Sequence, residues 1–239
     1  NQSDFSWTLD NLIYYDKEFG KHSVGLTLLQ SATGYHYEES SMAAEGIPLE
    51  SAKWNALSKE NVSLLDEWNS GLIEKQLLSY MFRVNYDYNN KYLLTVSGRW
   101  DGASQLAEGN KWAFFPSAAL GWRLDQEEFL KDVTWLNQLK FRLGVGVTGN
   151  SAIDPYQTKG AIVSLYYPFG SALAPGYAAS EPLIKDGAVA MANKNLSWEK
   201  TTQYNIGLDY SVLNGRISGV LDFYTSRTTD LLMAMTIPS

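Results

Sequence analysis

Several stretches of the chain alternate apolar and polar residues with a period of two. That is the mark of a β-strand whose two faces meet different surroundings. From Tyr80 the apolar set reads Tyr80, Phe82, Val84, Tyr86 and Tyr88, with Met81, Arg83, Asn85 and Asp87 between them. The pattern repeats as Tyr92, Leu94, Val96, Gly98 and Trp100 against Leu93, Thr95, Ser97, Arg99 and Asp101. It returns as Phe141, Leu143, Val145 and Val147 against Arg142, Gly144, Gly146 and Thr148. Two more runs start at Tyr204 and Ile217, with Asn205, Gly207, Asp209 and Asp222 on their polar sides. Blurred alternation predicts further strands near 4–15, 21–33 and 112–124, about eight in all. Helical periodicity is confined to short places around 49–57 and 126–131.

The links between strands differ in length in a regular way. Short links are expected at 16–20, at Asn89-Asn90 and at Asn214-Gly215, the last a strong two-residue hairpin signal. Long polar links are expected at about 34–76 and 149–196, with intermediate ones at 102–111 and 125–135. In antiparallel order, successive links fall on opposite ends of the sheet. One end therefore carries tight turns and the other large loops, as in a transmembrane β-barrel and unlike a soluble sandwich. The expected fold is all-β, an antiparallel transmembrane barrel in one domain. Tyr14, Tyr15, Tyr86, Tyr88, Tyr92 and Trp122 cluster near the short-turn end, and Trp100 and Trp112 near the other. Two aromatic belts at the membrane rims are one reading; a general strand preference of Tyr and Trp is the other.

Composition sharpens this picture. The 239 residues are 45% hydrophobic and 19% charged, and the net charge is -7 with no basic run, which argues against nucleic acid as a partner. No stretch reaches the roughly 18 apolar residues of a transmembrane helix. There is no cysteine, which excludes disulfides and thiolate metal sites. His22 and His36 are too few and too separated for a metal site or a catalytic triad, so no catalytic residue, metal or cofactor is expected. Gly144–Gly149 looks like a nucleotide-binding glycine fingerprint but has no helix after it, so close approach of a plug or neighbouring side chain is the better reading. Pro116 inside a strand suggests a bulge or an edge-like irregularity. Glu127 and Glu128 are expected to favour the start of a helical turn over 126–131.

Longer motifs carry a resemblance. Arg99-Trp100-Asp101-Gly102-Ala103-Ser104 is followed by Asn110-Lys111-Trp112-Ala113-Phe114-Phe115-Pro116-Ser117-Ala118-Ala119-Leu120-Gly121-Trp122-Arg123. With Arg83–Tyr88, Leu139–Arg142, Gly146–Asn150, Asn195–Thr201 and Asn205–Asp209, this resembles the barrel of SusC/RagA-family TonB-linked outer-membrane transporters of Bacteroidetes, over about 78–230. The resemblance implies a 22-stranded barrel around an N-terminal plug, a SusD-like surface lipoprotein as lid, and uptake of glycans or peptides driven through the TonB complex. It places the chain in the bacterial outer membrane, in contact with lipid. The sequence shows neither plug nor closing strand, so it is expected to be an internal or processed piece of about eight strands within the larger barrel. Two unpaired edges make such a piece unstable alone, and further strands are expected to complete it.

On this reading Arg83, Asn85, Arg99, Arg142, Asp209 and Asp222 point into the lumen, towards water, plug or cargo. Trp54 and Trp68 in the first long loop, and Tyr156, Tyr166, Tyr167, Phe169 and Tyr177 in the second, are candidates for cargo or lid contact. Packing of the loops against each other is the competing role. The expected function is import of oligosaccharide, or less often peptide, across the outer membrane. The alternatives are a self-contained small outer-membrane barrel and a soluble carbohydrate-binding β-sandwich.

Overall fold

A computed structural model describes residues 1–45, 64–158, 161–169, 172–181, 183–185, 188–190 and 193–233, with side chains described over 1–42, 70–158 and 193–233. The chain folds into one antiparallel meander, β1 (Gln2–Phe19), β2 (His22–Glu45), β3 (Leu64–Tyr88), β4 (Tyr92–Ala103), β5 (Trp112–Arg123) and β6 (Leu136–Asn150). An excursion follows with two small two-stranded sheets, β7 (Ala161–Phe169) with β8 (Ala172–Glu181), and β9 (Leu183–Lys185) with β10 (Ala188–Ala190). The chain then rejoins the main sheet as β11 (Glu199–Val212) and β12 (Ile217–Thr229), giving eight strands in the order β1-β2-β3-β4-β5-β6-β11-β12. The eight-stranded antiparallel sheet expected from alternation is present.

Register carries the two faces across every strand. Leu28 lies opposite Phe82, Phe82 opposite Gly98, Gly98 opposite Pro116, and Leu143 opposite Leu120 and Ile206. This apolar face is solvent-accessible; Phe82, Leu94, Phe114, Leu120, Ile206 and Phe223 are all exposed. Such a continuous apolar face has no partner among the described residues, which is what a lipid-facing wall requires. The opposite face is polar: Arg83 lies opposite Thr27 and Ser97, and Asn85 opposite Gly25 and Thr95.

The tight-turn end holds the β1–β2, β3–β4, β5–β6 and β11–β12 links. Asn89 and Asn90 take left-handed backbone (φ 55° and 53°), the conformation of a primed hairpin turn. Asn214 and Gly215 are both left-handed, with Arg216 N–H donating to Leu213 O across them, so the expected two-residue turn is present; Leu213 before it is left-handed too. Neighbouring turns are tied together: Asn89 N–H donates to Lys21 O, Arg123 N–H to Lys91 O, and Leu213 N–H to Trp135 O. The link expected to hold helix over 126–131 instead has a short 3-10 turn at Leu124–Gln126.

The opposite end departs from expectation. β2 continues to Glu45 and β3 begins at Leu64, so most of the link expected over 34–76 is strand. These extensions keep no strict alternation, with Met42 and Leu72 exposed beside Glu38 and Glu74, so the sequence reads as loop. β2 has 24 residues and β4 has 12, so the β1–β3 region overshoots its neighbour by roughly 40 Å along the strand.

A local break marks the same end. The β5–β6 ladder stops at Ser117–Gly146, while β5 stays paired to β4 back to Trp112 and β6 stays paired to β11 up to Asn150. Pro116, which has no N–H to give, sits immediately past the last pair. The irregularity expected at Pro116 is this splay.

Gly98 shows how tightly the lipid face is dressed. A Cβ there would lie 2.6 Å from both the Phe82 and Phe114 rings. Gly98→Val should therefore lower stability by about 1–3 kcal/mol through displaced rings. Gly146→Ala, whose Cβ would meet only Ser117 at 3.4 Å, should be nearly neutral. Urea unfolding of the purified full-length protein in detergent distinguishes the two.

Candidate functional site

The loop-end splay between β5 and β6 is filled by a small core on the chain's polar side. Phe115 and Ala113 from β5, Ala103 from the end of β4, Leu106 from the following loop and Trp198 from the approach to β11 are all buried together. Leu77, Val147, Ile153 and Leu196 pack around them. Phe115 and Trp198 meet edge to face at 5.2 Å. The Phe115 ring lies so close over Gly149 that no Cβ would fit there. Of the glycine run, Gly149 thus has the close side-chain approach, whereas Gly144 meets nothing nearer than Asn205 Cβ at 3.9 Å.

Polar contacts fasten the same core. Trp198 Nε1 donates to Lys111 O at 2.8 Å, and Ala107 N–H donates to Leu196 O. Gln105 Nε2 donates to Ser151 O at 2.9 Å. Ser104 caps the end of the β3–β4 ladder, taking the Gln76 N–H on its hydroxyl and giving its own N–H to Gln76 O. The roots of the 104–111 loop and of the 151–198 excursion are therefore one packed unit. Nothing in the alternation pointed to it; an apolar Leu106 in a polar loop and a lone Trp198 ahead of a strand were the available signals.

The polar face carries two charge clusters. Arg99 Nε donates to both oxygens of Asp101 at 2.7 and 2.9 Å, and its Nη2 reaches the buried Ser79 hydroxyl at 3.1 Å. Arg142 Nε donates to Asp209 at 2.9 Å and its Nη2 to Asp222 at 3.0 Å. To reach Asp222 on β12 the guanidinium crosses β11 over Gly207, where a Cβ would fall 2.7 Å from Arg142 Cζ. Asn85 accepts a hydrogen bond from the Thr95 hydroxyl at 3.0 Å. Arg83 is exposed and has no ion-pair partner among the described residues. A concavity of about 520 Å³ on this face is lined by Asp16, Asn85, Asp87, Lys140, Arg142 and Asn205 among others.

The tight-turn rim is aromatic. Phe19 stacks on His22, His22 meets Tyr88, Tyr88 stacks on Tyr92, and Tyr92 stacks on Trp122, crossing five strands. Glu127 ties this row down. Its Oε1 accepts from Tyr92 OH at 2.8 Å and Trp122 Nε1 at 2.9 Å, and its Oε2 accepts from Lys91 Nζ at 2.9 Å. The Lys91 hydrogen bond, followed by those from Trp122 and Tyr92, lowers the Glu127 carboxyl to about 2. Glu127 is structural, as expected, but its partners are these three side chains and not a helix dipole. Next to it, burial raises the Asp125 carboxyl, and hydrogen bonds from Gln126, Arg123 and the Leu139 N–H outweigh that, so the net shift is downward. A second aromatic group at the loop end joins Tyr80, Trp112 and Trp100.

This two-faced wall, with turns at one rim and loops at the other, is matched over its whole length. The family model described as TonB dependent receptor-like, beta-barrel covers residues 1–239. The chain belongs to that family. TonB-dependent receptor SusC of Bacteroides thetaiotaomicron is 42% identical over 195 residues, covering 77% of this chain and 18% of the relative. TonB-dependent receptor P3 of Formosa agariphila is 34% identical over 232 residues, covering 96% and 22%. Among solved structures, the RagAB peptide transporter superposes with a TM-score of 0.81 at 24% identity, over 99% of this chain and 25% of that one. The RagAB peptide importer in its open-open state gives 0.83 at 25% identity with the same coverage. The chain spans about a fifth of the length of the curated relatives it matches. It is a SusC-like stretch of a TonB-dependent receptor barrel, in a family of outer-membrane receptors and transporters.

The expected site residues of this TonB-dependent receptor barrel divide by position. Arg83, Asn85, Arg99, Arg142, Asp209 and Asp222 share the polar face by register. Arg142, Asp209 and Asp222 come together; Arg99 pairs separately with Asp101. Trp54 lies outside the described residues. Trp68, expected in a loop, is in β3, a consequence of the strand extension described above. Tyr166, Tyr167 and Phe169 are in β7 and Tyr177 in β8, so they sit on a hairpin within the excursion; their side chains lie outside the described residues. Tyr156 is half exposed with left-handed backbone (φ 71°), and its hydroxyl accepts the Glu74 N–H at 3.2 Å.

Two expectations follow. A carboxyl held low in the folded state contributes stability above its ordinary value of 4.5, and that contribution fades as pH falls towards about 2. The stability difference between the parent protein and Glu127→Gln should thus be constant above pH 5 and shrink between pH 4.5 and 2, as read by unfolding midpoints at stepped pH. Trp198→Ala should cost about 3 kcal/mol and loosen the loop roots. Limited proteolysis of intact cells should then cut within 150–198 faster than in the parent.

Proposed function

We propose that this chain is part of the barrel wall of a 22-stranded TonB-dependent importer that takes up oligosaccharide, with a SusD-like lipoprotein as its surface partner. The observation that carries the reading is the full-length family match on a wall with one lipid-dressed face and one polar face. The edges of β1 and β12 are unpaired in this sheet. In hydrocarbon such edges leave N–H and C=O groups without partners, which further strands of the same barrel would supply. The polar face then lines the lumen around a plug, and energy reaches the plug through TonB. Peptide is the second reading of the cargo, favoured by the likeness to the RagAB peptide transporter.

The charge clusters give the lumenal residues different parts. Arg99 and Arg142 are committed to wall carboxylates. Arg83 is the cation of this set left to meet plug or cargo. Asn85 and the loop aromatics Tyr156, Tyr166, Tyr167, Phe169 and Tyr177, with Trp54 and Trp68, are further candidates for cargo or lid contact.

Deleting the gene should abolish growth on one oligosaccharide class while leaving growth on its monosaccharide intact, and affinity purification of the receptor should bring down a surface lipoprotein. Unchanged growth on every oligosaccharide, with lost growth on peptides, would move the assignment to the second reading. Within the restored strain, Arg83→Ala should slow uptake with barrel stability unchanged. Arg142→Ala should instead lower stability by on the order of 1 kcal/mol, because Asp209 and Asp222 lose their shared cation.

A further inference from the structure

The extended part of β3 has one paired side and one open side. β2 pairs with β3 from His22–Tyr88 out to Glu45–Leu64, whereas β4 pairs with β3 only from Leu77 inward. Among the described residues no strand continues along the far edge of residues 64–76. Alternation of antiparallel hydrogen bonds determines which groups face that edge. Gln76 N–H reaches Ser104 Oγ and Glu74 N–H reaches Tyr156 OH, both away from β2. Leu72 and Ser70, at the same phase, therefore also aim N–H and C=O outward. On the other flank Ser40 exchanges N–H and C=O with Asn1, which fixes the same phase independently.

The side chains around this extension of β1–β3 are largely acidic. Glu74 and Glu38 flank His36 on one face of the extension. Asp4 and Glu39 lie on the other, where Tyr35 and Tyr37 donate to them. Of the three lysines between residues 22 and 90, Lys53 and Lys59 lie outside the described residues and Lys75 is in β3. Leu72 is half exposed, and the Glu39 side chain lies over the neighbouring Gly71.

We propose that the outer edge of β3 at Ser70–Glu74 is a strand-addition site for an extended polypeptide segment carrying basic side chains. The incoming segment adds main-chain hydrogen bonds to Ser70, Leu72 and Glu74, and its Lys or Arg side chains meet Glu38 and Glu74. Tyr156 occupies one of the donors and competes with the segment. Polypeptide is favoured over glycan because the exposed groups repeat at the two-residue spacing of a strand. The inference rests on the barrel assignment only in placing this edge outside the bilayer, and it holds whichever cargo the importer carries.

The test uses the full-length receptor in detergent and a fluorescent eight-residue peptide alternating Lys with Val or Thr. A copy N-methylated at alternate residues and an acidic copy with Glu in place of Lys serve as controls. Fluorescence anisotropy should show binding of the basic peptide and at least tenfold weaker binding of both controls. Leu72→Pro deletes one outward N–H without touching the β2–β3 ladder, since proline is tolerated on such an edge, and should weaken binding about tenfold. Glu74→Gln should weaken it a few-fold and flatten its salt dependence. Tyr156→Phe frees the Glu74 N–H and should tighten binding a few-fold. Equal binding of the N-methylated peptide to the parent receptor overturns the proposal even if Leu72→Pro fails to fold. So does displacement of the bound peptide by maltoheptaose alone and not by unlabelled peptide. Growth on the cognate oligosaccharide is a separate readout, so loss of the import reading is distinguishable from loss of this one.

Discussion

Hydrocarbon offers no water to a peptide N–H or C=O, and each unmatched group costs several kcal/mol there. Nearly everything in this wall answers that constraint. The strands of the main sheet from β2 to β11 are laddered on both sides, with register shifts only at Ala43/Ala44 and Ser211/Val212, and the side chains dress the two faces of the ladder. The break between β5 and β6 begins at Ser117–Gly146, towards the loop end, where Phe115, Leu106 and Trp198 fill the opening. Pro116 lies in the stretch of β5 that has no β6 partner, immediately past the last pair.

The two rims solve a different problem, that of ending strands cleanly at a wet boundary. At the tight-turn rim an aromatic row runs from Phe19 to Trp122 across five strands, and Glu127 holds the polar tips of Tyr92 and Trp122 together. At the loop rim the contacts are buried and apolar, and they bind two distant loops to one root. One rim is held by a largely covered ion pair and its aromatic donors, the other by a buried apolar core. That difference suits a wall whose outer loops are long and whose turns are short.

Much of this was legible in the sequence. Alternation at Tyr80–Tyr88 and Tyr204–Val212 revealed both faces because lipid enforces apolarity on one of them. The order of short and long links revealed which end was which. What stayed hidden lay at the loop end. β2 past about residue 34 and β3 before about residue 77 keep no strict two-residue period, so nothing local marks them as strand. The Phe115–Trp198 core joins residues far apart in the chain, and such pairing has no local signature. The lumenal residues were placed on one face by parity alone, but parity could not show that Arg142 would join Asp209 to Asp222 while Arg83 stood apart.

Gly207 and Arg142 together have a mechanical meaning. The guanidinium spans two strand spacings, about 9.5 Å, and binds carboxylates on β11 and β12 at once. Sliding β12 by a pair of residues against β11 would re-form a ladder of the same hydrogen-bond pattern with only its ends lost, yet would tear Asp222 from Arg142. The tie therefore acts as a key across three staves, resisting shear that the ladder alone would permit. Such a key holds the stagger of these three strands, and in a barrel the stagger, together with the strand number, sets the diameter.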